Sequence, residues 1–81
     1  MAYDVSQTRR FLRQYKKLND KTAKEVDDAV VQVAKNPTIG EKKKGDLSEL
    51  WVYKFKSNIQ LYLLGYSIDD GLRLIYLESI G

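Results

Sequence analysis

Cysteine and histidine are both missing from this chain of 81 residues. Without cysteine no disulfide can brace the fold, and the absence fits a reducing cytosol. Without histidine the chain lacks the commonest general acid and base, the commonest metal ligand and every triad built on imidazole. Any catalysis must therefore draw on lysine, arginine, tyrosine or carboxylates. The opening stretch Met1 to Gln7 has no apolar run of the signal-peptide kind. No later stretch approaches the roughly 20 apolar residues needed to cross a bilayer. The expectation is a soluble, cytoplasmic protein. Phosphate loops of the Walker type, paired metal cysteines and nucleophile elbows are also missing. The carboxylates are scattered, mainly over one helical segment, which disfavours a hard-metal site. Neither a metal nor a cofactor is expected.

What remains is short and basic. At 81 residues the chain makes one domain, residues 1–81, that buries only about 60 to 65% of the surface its unfolded form exposes. Its stability is expected to be marginal without a partner. Fourteen Lys and Arg stand against eleven Asp and Glu, a net charge of +3, and their distribution matters more than the sum. Arg9, Arg10, Arg13, Lys16 and Lys17 cluster without an intervening acid, and Lys42, Lys43 and Lys44 form a second block. Such clusters suit a polyanion, although clustered lysines also serve as a plain solvated face.

The periodicity changes once along the chain. From Thr8 to Leu18, Phe11, Leu12, Tyr15 and Leu18 recur at helical spacing, with basic residues on the remaining surface. Asn19 or Asp20 then caps a second helix with Ala23, Val26, Val30 and Val33 as its buried stripe, ending at Asn36-Pro37 because proline disfavours helical geometry before it. Thr38 to Asp46 reads as a polar loop. Beyond it Leu50 to Lys56, Ile59 to Ile68 and Leu72 to Leu77 read as strands joined by short turns, an antiparallel β-meander. Tyr3 to Val5 reads as a short first strand. The expected architecture is α+β, with a helical hairpin packed on one face of the sheet.

The most informative stretch is Trp51-Val52-Tyr53-Lys54-Phe55-Lys56. In a strand Trp51, Tyr53 and Phe55 share one face, expected to meet the helices, and Val52, Lys54 and Lys56 share the other. Two ammonium groups about 7 Å apart on a rigid element repel and call for nearby anions. They either protect and solubilise a half-exposed face or form a phosphate-binding face. In the next strand Ile59, Leu61 and Leu63 alternate with Gln60, Tyr62 and Leu64, so both sets are largely apolar, as in a central strand covered on each side. Tyr62 and Tyr66 belong either to an ordinary core or to a patch that docks another chain.

In their order these residues resemble the RelE/ParE superfamily of bacterial toxins. The motifs are the early strand, Lys16-Lys17-Leu18 in the hairpin, Asn36-Pro37, the basic Lys-Lys-Gly-Asp-Leu segment, Val52-Tyr53-Lys54-Phe55-Lys56 and the closing Leu77-Glu78-Ser79-Ile80-Gly81. The resemblance implies a RelE-like, microbial ribonuclease-like fold and a cognate antitoxin protein as partner. On the RelE branch it implies ribosome-dependent cleavage of messenger RNA, in which the ribose 2′-hydroxyl attacks the adjacent phosphorus. It assigns Lys54 and Lys56 to catalysis, with Arg73 as a third charge provided the last strand turns it to the same face. Gln60 stands where the family places a catalytic arginine. Arg10, Arg13, Lys17, Lys42, Lys43, Lys44 and Gln60 are the expected RNA contacts. RelE-like toxins carry further catalytic residues after the position of Gly81. The other branches imply a ParE-like inhibitor of DNA gyrase that hydrolyses nothing, or an inactive member that only binds antitoxin.

Overall fold

The computed structural model describes residues 2–44 and 49–81. Strand β1 (Asp4–Gln7) leads into helix α1 (Arg9–Lys16) and helix α2 (Asp20–Lys35). A 3-10 turn at Pro37–Ile39 then precedes strands β2 (Glu41–Lys44), β3 (Glu49–Ser57), β4 (Gln60–Asp69) and β5 (Leu74–Ile80). The five strands form one sheet in the order β1-β5-β4-β3-β2. All neighbours are antiparallel except β1, which lies parallel to β5 with Asp4 opposite Leu74.

Side-chain caps start both helices. The Thr8 hydroxyl accepts from the Phe11 N–H at 3.2 Å, and the Asn19 side chain accepts from the Thr22 N–H at 2.8 Å, each satisfying a donor that a first turn leaves orphaned. Of the two expected caps for α2, Asn19 is the one used. The core joins Phe11 of α1 and Val26, Ala29 and Val33 of α2 to Leu64, Tyr66, Ile75, Leu77 and Ile80 of the sheet. Trp51, Tyr53 and Phe55 pack against it from β3, as the alternation requires. At the far end of β3 the buried Ser57 hydroxyl meets that of Thr22, 3.1 Å away, which ties the start of α2 to the sheet.

Three expectations need correction. The lysine block is a strand and not a loop: β2 pairs with β3, Glu41 opposite Val52 and Lys44 opposite Glu49. It lacks the apolar alternation of a buried strand because it is an edge, held by backbone pairing and carrying charges that discourage further pairing. Gly45, Asp46 and Leu47 of the basic motif lie outside the described residues. Secondly, the last strand begins at Leu74 and runs on to Ile80. Asp69 Oδ1 accepts from the Leu72 N–H at 3.0 Å and Arg73 takes a φ of 51°, so a longer turn consumes Leu72 and Arg73. Thirdly, β4 is covered on one face only. Leu64 and Tyr66 are sealed under the helices, whereas Leu61 and Leu63 are 51% and 41% exposed.

No helix among the described residues is long and apolar enough to cross a membrane.

Candidate functional site

The sheet face away from the helices is the open surface of the molecule. Pairing sets Leu63 opposite Lys54 and Leu61 opposite Lys56, while Tyr62 opposes Phe55 on the helix-bearing side. Lys54 and Lys56 therefore leave β3 on the open side, and both are exposed. Pairing with β2 stops at Val52, so their half of β3 is a free edge. Lys54 lines a hollow of about 380 Å³ with Ile39, Gly40, Glu41, Val52 and Tyr53. Lys56 lines an adjoining groove of about 210 Å³, shared with Glu25, Asp28 and Gln32 of α2. One Glu25 carboxylate oxygen is buried there without a hydrogen-bond partner among the described residues.

The β2 lysines divide by face. Glu41 and Lys43 stand on the side of Val52 and Lys54, and Lys42 and Lys44 on the side of Trp51. Lys43 donates to Glu41 Oε1 at 2.9 Å, and the other Glu41 oxygen lies 3.8 Å from Lys54 Nζ. The hydrogen bond and charge of Lys43, then the charge of Lys54, hold the Glu41 carboxyl below its ordinary range. On the opposite face Lys42 pairs with Glu49 at 3.1 Å. Lys44 and Lys56 have no ion pair among the described residues.

Helix α1 abuts β5, with the Ile80 N–H donating to Gln14 Oε1 at 2.9 Å. Its exposed Arg13 and Lys17 thus lie across the sheet from β2, which is separated from β5 by three strand spacings of about 4.8 Å. Arg10 lines a hollow of about 390 Å³ with Thr8, Glu49, Leu50, Ser67, Glu78 and Ser79. There the Ser67 hydroxyl donates to Glu78 Oε2 at 2.8 Å, beside an irregularity in the β4–β5 pairing at Gly65 and Tyr66.

Residues 5–81 match the model of the ParE-like toxins of type II bacterial toxin-antitoxin systems. The chain belongs to this family. The toxin has the fold seen in the E. coli RelBE toxin-antitoxin complex, with a TM-score of 0.81 at 24% identity, covering 99% of this chain and 95% of that one. The RelBE2 complex of Mycobacterium tuberculosis gives a TM-score of 0.85 at 21% identity, covering 99% and 96%. A mutant of E. coli toxin RelE in complex with an antitoxin RelBc peptide gives 0.80 at 26% identity, covering 100% and 83%. No curated protein sequence matches it.

Not every residue assigned from the sequence joins this toxin's lysine face. Arg73 lies in the β4–β5 turn with its guanidinium 4.5 Å from the Tyr3 ring centroid. The same ring's hydroxyl donates to Asp70 Oδ1 at 2.8 Å, which raises the Tyr3 pKa. Six residues of β4 separate the partner of Lys54 from that turn, about 20 Å of strand. The condition set for Arg73, that it share the lysine face, is not met. Gln60 pairs with Ser57, whose hydroxyl points under α2, so alternation turns Gln60 away from the lysines as well. Their cross-strand neighbours are leucines. Glu41 is the residue that reading the sequence missed; its signal was the Glu-x-Lys spacing, meaningful only once the segment is a strand.

Proposed function

We propose that this toxin acts on messenger RNA held at the ribosome, with the open sheet face meeting the phosphodiester backbone and an antitoxin covering that face when the toxin is silent. The observation that carries the reading is the exposed Lys54, set on a stiff strand with Lys43 and Lys56 nearby and, among the described residues, only a solvent-exposed carboxylate as its ionic partner. Fixed ammonium groups of this kind stabilise charge that builds on phosphorus when a 2′-hydroxyl attacks. Lys54 and Lys56 then stabilise the phosphorane, and one of them carries a proton to or from the reacting oxygens. With no imidazole in the chain, a bound ribosome has to supply orientation. The test is expression of the Lys54→Ala/Lys56→Ala double variant alongside the parent, with message cleavage mapped in a translation extract. A folded double variant that still arrests growth and cuts message overturns the reading.

A second reading is favoured by one observation. Arg73 and Gln60 are turned away from the lysines, and leucines occupy the cross-strand places. A face so poor in catalytic charge suits a ParE-like binder that inhibits DNA gyrase without hydrolysis. Inhibition of supercoiling with translation intact would establish it.

The antitoxin assignment draws on the family and on the related RelE toxin bound to an antitoxin peptide. Leu61 and Leu63 expose apolar area beside the lysines, a combination that suits an amphipathic acidic segment. Binding such a segment raises the melting temperature, as mass action requires of any ligand selective for the native state. No shift at saturating antitoxin would exclude it.

A further inference from the structure

Glu41 has no part in the chemistry above, yet it stands in the middle of it. It begins β2 opposite Val52, and its two oxygens face two different cations: Lys43 at 2.9 Å and Lys54 at 3.8 Å. A carboxylate bridging two ammonium groups occupies the place that a phosphate oxygen would take. All three side chains are about half exposed or more, and exposed pairs hold weakly and exchange readily. The hollow beside Glu41 is floored by Gly40 and Val52. Gly40 lets the backbone approach closely there: a Cβ would lie 2.6 Å from the Tyr66 hydroxyl and 2.8 Å from the Val52 carbonyl oxygen.

We infer that Glu41 is a built-in stand-in for substrate phosphate, a tethered anion that neutralises Lys43 and Lys54 until a phosphodiester of single-stranded RNA enters the hollow and displaces it. This rests on the reading that the lysine face meets RNA, and it adds a residue that sets how tightly and how salt-sensitively it does so. When RNA displaces Glu41, the anion released from the lysines is covalently attached and does not enter bulk solution. When Glu41 is neutral, the lysines recruit salt anions instead, and RNA binding releases those to solution. Salt dependence therefore separates a displaced carboxylate from a mere change of net charge.

The experiment measures binding of a short fluorescein-labelled single-stranded RNA to the full chain by anisotropy over a salt series. Glu41→Gln is compared with Glu49→Gln, which makes the same charge change at the Lys42 pair on the opposite face. Thermal melts confirm that each variant is folded. Glu41→Gln is expected to tighten binding about fivefold at low salt and to steepen the slope of log K against log salt, because anions leave the lysines in addition to the cations leaving the RNA. Glu49→Gln is expected to change affinity less than about twofold with no change of slope. In a Lys43→Ala/Lys54→Ala background the gain from Glu41→Gln should disappear, since both pairs are then already broken. Equal effects of the two glutamine variants, or weaker binding by Glu41→Gln, would overturn the stand-in role while leaving the RNA reading intact. If Lys54→Ala/Lys56→Ala binds RNA as the parent does, the RNA reading itself fails.

Discussion

The two faces of one sheet have opposite fates, and β4 shows it one residue at a time. Leu64 is fully buried and its neighbour Leu63 is 41% exposed, although both are leucines in the centre of the same strand. The helix-bearing face is a dry core joined by Phe11, Val26 and Val33. The open face combines leucines with ammonium groups that meet carboxylates only at the surface. Hydrophobicity alone does not mark which leucine holds the fold together. The helices decide it, and the apolar area they leave uncovered is the area a partner can use.

Truncation on each side measures that contrast. Leu64→Ala is expected to cost about 2–5 kcal/mol, the range for emptying a packed leucine site, whereas Leu63→Ala should cost less than about 1 kcal/mol. Urea unfolding of the two variants decides it, and equal losses would mean that the open face is covered in solution. The next largest effect lies where the two faces are stapled. The Tyr66 hydroxyl donates to the Pro37 carbonyl at 2.6 Å and accepts from the Gly40 N–H at 3.2 Å, so it fixes the turn that delivers β2 to the sheet. Tyr66→Phe is expected to cost about 1–3 kcal/mol, and hydrogen exchange should show faster opening in β2 than in β5.

The pH response is smaller and runs in opposite directions for the two faces. Burial raises the Tyr66 phenol above its ordinary value of 10.0. The folded chain thus holds that proton more tightly, and this stabilisation is complete below pH 10 and lost as pH rises through the raised value. Tyr66→Phe should flatten the alkaline limb of the stability curve. Glu41 behaves inversely. Its carboxyl is lowered from 4.5, so its contribution is present above that value and disappears as pH falls through the lowered one. Glu41→Gln should remove a small part of the acid limb, while melting of the Lys54→Ala/Lys56→Ala variant should follow the parent to within about 0.5 kcal/mol at neutral pH.

Much of this was legible in the residues, for stated reasons. The helices announce themselves through Phe11, Tyr15, Val26 and Val33 at helical spacing and through the Asn19 cap, all of which are local signals. The alternation of Trp51 to Lys56 assigned both faces of β3. The β2 strand was hidden because Glu41-Lys42-Lys43-Lys44 carries no apolar period, and its strand character comes from backbone pairing with residues beyond it in sequence. Arg73 was misplaced because a side-chain turn at Asp69 and a left-handed backbone at position 73 outweighed the β-like composition around it. The apolar Leu61 and Leu63 suggested a cover that lies on one side only.

The parallel pairing of β1 with β5 also governs when the toxin can become harmful. Asp4 finds its neighbour only at Leu74, and the Tyr3 hydroxyl finds Asp70, so the first strand stays unmatched until β5 has been made. At roughly 5–20 residues added per second, a nascent chain spends several seconds with its N-terminal strand unpaired and its lysine scaffold unfinished. The lysine face is therefore completed in one late step, when the closing strand docks between its neighbours.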